Sequence, residues 1–153
     1  MRKLAIFIVL FAVAALAMGC GSTSNTDVTG NWSGTTTSTQ GGQSLTFTFA
    51  MQEGATNGNT IPVTFSNLAF STQNNCFDNT ASITGAITPG NPRTMAVDVF
   101  SGVNNTGNHA AITLTIAADN NSAAGTQPSE GYVLVGGTGG CVNDLGNVTF
   151  TRQ

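Results

Sequence analysis

The chain has 153 residues, 40% of them hydrophobic and only 7% charged, which is enough for one domain with a buried core. Four Lys and Arg residues stand against seven Asp and Glu, a net charge of −3, so there is no electrostatic footprint for nucleic acid and no attraction to an anionic membrane surface. Gly, Thr, Ser and Asn are abundant, but regularly spaced Val, Ile, Leu and Phe argue against a disordered chain.

The first segment is cationic, Met1-Arg2-Lys3, followed by an apolar run from Leu4 to Met18. A membrane span needs about 20 residues, so this shorter run reads as the helix of an export signal. It closes on Leu16-Ala17-Met18-Gly19-Cys20, which resembles the lipobox of bacterial lipoproteins, with Ala17 where a larger aliphatic residue is usual. The resemblance implies cleavage after Gly19, diacylglycerol on the Cys20 sulfur and acylation of the new amino group. Such double anchoring holds a protein at a bilayer where one acyl chain barely does. The alternative is an ordinary secretory signal, with Cys20 a spare thiol.

The chain then divides into a signal peptide (1–19), a small, polar, lipidated tether (20–27) and a β-domain (28–153). The membrane partner is reached through the lipid, and the location is the cell envelope. Gly21 rather than Asp after the anchor favours the outer membrane in a Gram-negative organism; otherwise the extracellular face of the plasma membrane is expected. Once the signal is removed, Arg93 and Arg152 are the only cations, against seven acids, a side-chain charge of −5.

From Val28 onward, apolar residues recur at period two, the pattern of strands with one face buried. "VTGNWSGT" opens the first strand. Leu45, Phe47, Phe49 and Met51 share a face in the second. In the third, the apolar phase slips at Ser66-Asn67, from Ile61, Val63 and Phe65 to Leu68 and Phe70, which predicts a β-bulge. Ile83 and Ile87, then Met95, Val97 and Val99, then Ile112, Leu114 and Ile116 form further rows. Pro128 interrupts what would be a seventh strand and predicts that it is split, bulged or at an edge. Val148 and Phe150 mark the last strand. Turn residues separate these rows, and no segment after the signal has a helical pattern.

About eight antiparallel strands with hairpin-length connections predict an all-β fold, either an up-and-down barrel or a β-sandwich. Gly30-Asn31-Trp32 resembles the Gly-x-Trp signature on the first strand of lipocalins and related calycin barrels. The resemblance implies that Trp32 plugs one end of the barrel, with a cation from the last strand across its ring. Arg152, in phase with Val148 and Phe150, is the candidate. It also implies an interior that binds a small apolar ligand, for which the inward Phe47, Phe49 and Val97 are the candidate residues. The ending "GGCVNDLGNVTFTRQ", together with Gly-x-Trp near the anchor and a mid-chain cysteine, resembles a type of small bacterial lipoprotein. That resemblance implies one disulfide-linked β-domain and brings no activity with it.

With Cys20 used as the anchor, Cys76 and Cys141 are left as an even pair, 65 positions apart. In an oxidising compartment they are expected to form a disulfide, and closing so long a loop stabilises by about 4 kcal/mol; two free thiols are the alternative. The spacing does not suit a metal site. His109 is the single histidine and has no Gly-x-Ser-x-Gly elbow to serve, so it reads as a surface residue. Asp98 alternates with Val97 and Val99 and is expected to face solvent. The Asx-rich stretches 74–79, 118–122 and 142–147 offer oxygen ligands for calcium but lack EF-hand spacing, and turns explain them. Gly136–Gly140 is followed by neither a lysine nor a helix, so it is no phosphate loop.

The expectation is therefore a protein that is not an enzyme, without cofactor or metal. Two roles are open: binding a small apolar ligand inside the barrel, or a structural or adhesion role in which the outer surface contacts envelope glycans or proteins.

Overall fold

The computed structural model describes residues 26–71, 76–77, 80–101, 107–135 and 143–153. The expected signal helix and Cys20 lie outside them. Among the described residues there is no helix; the elements are β1 (Gly30–Ser38), β2 (Thr46–Glu53), β3 (Ile61–Phe70), β4 (Ser82–Thr88), β5 (Thr94–Phe100), β6 (His109–Ile116), β7 (Ser122–Gly125), β8 (Gly131–Val135) and β9 (Leu145–Arg152). All pair antiparallel in one sheet that runs in chain order from β1 to β7 and on to β9. The sheet then closes on itself, because β9 also pairs with β1 from Trp32–Arg152 to Ser38–Gly146. Closure removes both sheet edges at that seam, and it decides for an up-and-down barrel over a sandwich.

Nine strands occupy eight places in the ring. The second half of β6 and the end of β9 hold β7, through Thr115–Ala124 and Ala123–Phe150. The first half of β6 and the start of β9 hold β8, through Ile112–Tyr132 and Tyr132–Gly146. The two short strands thus lie end to end in one slot, and residues 126–130 leave the wall between them. Pro128 sits in that excursion, the place where a residue without an N–H is tolerated. Gly125 and Gly131 pinch its base: a Cβ on Gly125 would run into the Gly131 backbone. The side chains of Gln127 and Glu130 tie the excursion back, Gln127 Nε2 donating to the Tyr132 carbonyl and Thr115 Oγ1 to Glu130.

The bulge expected at Ser66-Asn67 is present. Ala50 faces Ser66 while Thr48 faces Ala69, one residue more on β3 than on β2, and Asn67 takes a left-handed φ of 55°. Asparagine tolerates that region better than most residues. The slip returns Leu68 and Phe70 to the inner side, where they pack against the core.

Elsewhere the alternation holds along each wall, with Trp32, Phe49, Met95, Val97, Leu114, Val148 and Phe150 buried inside. Gly34 makes space for the aromatic centre. A Cβ there would lie 2.6 Å from the Phe47 ring, which meets Phe150 edge-on at 5.9 Å, while Phe150 meets Phe49 at 4.9 Å. Edge-to-face pairs at such distances add to the apolar burial.

Candidate functional site

One end of the barrel is sealed. Trp32, fully buried, is the direct cross-strand partner of Arg152, whose guanidinium carbon lies 5.4 Å from the centre of the indole. The indole Nε1–H donates to the Val28 carbonyl at 2.9 Å, and Arg152 Nη2 donates to the Asp27 carbonyl at 2.6 Å. Residues 27–29 are therefore strapped across the end. Glu53 holds the strap from the other side: its carboxylate accepts from the Val28 N–H at 3.1 Å and from Arg93 at 2.6 Å, and Arg93 also donates to Asn120. Both arginines of the domain are thus committed to this end. The Arg152 Nε–H has no acceptor in the seal, so the guanidinium is held by one hydrogen bond and by the indole face.

The opposite end, the mouth, is built from the ends of β1, β3, β5 and β8 and the starts of β2, β4, β6 and β9. Its floor carries a polar cluster in a largely apolar interior. Asp144, only 6% exposed, accepts from Tyr132 Oη at 2.8 Å and from Ser38 Oγ at 2.5 Å. Ser38 Oγ in turn accepts from the Gly42 and Gln40 N–H groups, so the turn after β1 is pinned to the start of β9. Burial, and then the neighbouring Asp144 carboxylate, push the Tyr132 phenol well above its ordinary range, because both disfavour a second anion there. Around this cluster Phe47, Phe70, Phe77, Val99 and Leu134 line a cavity of about 30 Å³. That is room for about one water molecule.

Of the three residues expected to line a ligand cavity, Phe47 does so. Phe49 and Val97, 3% and 1% exposed, are spent in packing: Phe49 on Phe150 and Phe65, Val97 between Gly85 and Ile112. The polar cluster had no counterpart in the sequence reading, though an inward-phased tyrosine that must find a partner for its hydroxyl was the available signal.

Cys76 is buried beside Phe77, which stacks on Phe70 at 6.0 Å, and its carbonyl accepts from Asn108 Nδ2. Cys141 lies outside the described residues, as do Asp78 and the 136–140 glycine run. Asp144 and Asp119, from two of the Asx-rich stretches, are occupied by the chain itself; Asp119 accepts from the Asn121 N–H at 3.0 Å, an Asx turn. Among the described residues no three His, Cys, Asp or Glu side chains converge.

Outside, His109 meets Asp98 at 2.7 Å and stacks flat on Phe100 at 4.5 Å. Both groups of the pair are part-exposed. Phe100, His109 and Val135 stand in one cross-strand row, and Asp98, Ala111 and Val133 in the next. Among the described residues the exposed large apolar side chains, Phe100, Val133 and Val135, therefore share one outer patch near the mouth. No protein-family model, curated protein or solved structure matches this chain.

Proposed function

We propose that this chain is an exported, lipid-anchored β-barrel that works through its outer surface, as a structural or adhesion-type envelope protein contacting glycans or proteins. The observation that carries the surface reading is the filled interior. Small-molecule sites usually enclose about 300–1,000 Å³, whereas the mouth cavity holds about 30 Å³. The outer patch of Phe100, Val133 and Val135 supports the same reading, since grouped apolar exposure is the feature that marks contact surfaces. Anchorage through Cys20 rests on the lipobox-like ending of the first segment. In this reading Cys76, which is 3% exposed, pairs with Cys141, Cys20 being blocked by lipid.

The test is metabolic labelling of the full-length chain with an alkyne fatty acid in a bacterial host, followed by crosslinking on intact cells. Label on the wild-type chain, absent from Cys20→Ser, is expected, together with crosslinks from a photoreactive group at Val135. An unlabelled wild-type chain would contradict the anchor. Labelled chain without crosslinks would contradict the surface role.

A further inference from the structure

The barrel wall is not paired all the way round. Among the described residues, β3 and β4 bond only through Ile61–Val63 against Gly85–Ile87. Beyond Val63, β3 continues for seven residues, Thr64–Phe70, bonded to β2 alone, and β4 from Ser82 to Thr84 is bonded to β5 alone. Among the described residues a seam without ladder bonds therefore runs from the middle of the wall toward the mouth, where Phe77 stacks on Phe70.

The direction of the backbone groups follows from the ladder. The Pro62 carbonyl accepts from Gly54, and the Ser71 N–H donates to Thr46, so both of these residues face away from the seam. Alternation then turns the N–H and C=O groups of Phe65 and, past the bulge, of Leu68 and Phe70 into the seam. Val63 and Gly85 face each other across the paired part, so Ile83 faces the seam from β4. Between the two strands lies a groove of about 380 Å³ lined by Phe65, Ser66, Asn67, Leu68, Ala81, Ser82 and Ile83. Its inner side is apolar, and neither Thr64–Phe70 nor Ala81–Thr84 contains a charged residue.

We infer that this seam is a docking site for an extended, uncharged segment of a partner polypeptide, which adds to the barrel wall as a strand. Unpaired donors and acceptors repeated at strand spacing on both walls match a polypeptide backbone. The apolar inner side takes every second side chain of such a segment, and the neutrality of the walls offers a charged one no partner. A glycan could satisfy a few of these groups but not a strand-spaced series. The inference names a partner class for the outer surface and so rests on that reading. The two fail separately, because a lipid held inside the barrel would leave the seam amides untouched.

The probe is an acetylated, amidated heptapeptide of alternating threonine and valine, with glutamate in place of valine as the control. The protein is the intact exported chain kept soluble by Cys20→Ser, read by amide hydrogen exchange. Saturating probe should slow exchange at Phe65, Leu68, Phe70 and Ile83 by about tenfold or more, leaving Val97 and Ile112 in the paired wall unchanged, and the control peptide should do neither. Leu68→Glu, which leaves the backbone intact, should weaken probe binding by about tenfold or more. Unchanged exchange at the seam amides would overturn the inference. So would slowing that spreads equally to Val97 and Ile112, or seam amides that are already as protected as Val97 in the free chain.

Discussion

The two ends of the barrel solve the same problem by different means. At the sealed end, Trp32 fills the cross-section, Arg152 covers its ring, and the 27–29 strap satisfies the indole N–H. At the mouth, aromatic rings leave a gap of about 30 Å³, and on its floor a buried carboxylate accepts from a buried phenol and a part-buried hydroxyl. The sealed end draws its strength mainly from bulk, so it should respond most to lost volume. The mouth is held by a small set of hydrogen bonds, so it should respond most to lost partners.

The largest effect is expected at the sealed end. Trp32→Ala removes the largest fully buried side chain and should destabilise by about 3–5 kcal/mol, read as a shift in the urea midpoint. A loss below about 1 kcal/mol would mean that the strap, not the ring, closes the barrel.

At the mouth, Asp144→Ala strips Tyr132 and Ser38 of their acceptor and should cost about 1–3 kcal/mol. The phenol also gives this end a pH signature. Its folded pKa lies above the unfolded value, so its stabilisation is complete below the ordinary tyrosine range, about pH 10. It is lost as pH rises from there, because the unfolded chain releases a proton that the folded chain keeps. Tyr132→Phe should flatten that alkaline decline in stability measured against pH. Tyr132 is the single tyrosine, so phenolate absorbance titrates it alone, and Asp144→Asn should bring its pKa down.

Arg152→Met keeps most of the side-chain volume and removes the cation over the indole and the bond to Asp27; about 1–2 kcal/mol is expected, less than for Trp32→Ala. The smallest effect belongs to the outer face. His109→Ala breaks a part-exposed pair with Asp98 and should change stability by no more than about 0.5 kcal/mol.

What the sequence made legible follows from local rules. Period-two rows become walls because one side of each strand meets the core. The phase slip at Ser66-Asn67 and the break at Pro128 translate directly into a bulge and a divided strand, since each acts on its own stretch of backbone. Trp32 and Arg152 could be paired in advance because a resemblance supplied the ring closure that brings the first and last strands together. The Tyr132–Asp144–Ser38 cluster joins residues up to 106 positions apart, and no local rule announces it; Asp144 reads as a turn residue until the ladder sets it under Tyr132. The fill of the interior was equally hidden. Phe49 and Val97 point inward as expected, but whether inward rings leave a cavity depends on how they interlock, here through the space that Gly34 yields to Phe47. The seam is a missing pairing, and a sequence carries no mark for that.

The central claim is that this barrel is filled and acts from outside. Native mass spectrometry of the exported Cys20→Ser chain, offered a total bacterial lipid extract, tests it most directly. The account predicts the bare protein mass at every lipid concentration. A one-to-one adduct displaced by organic solvent would contradict it and would mean that the aromatic rings at the mouth part to admit a ligand.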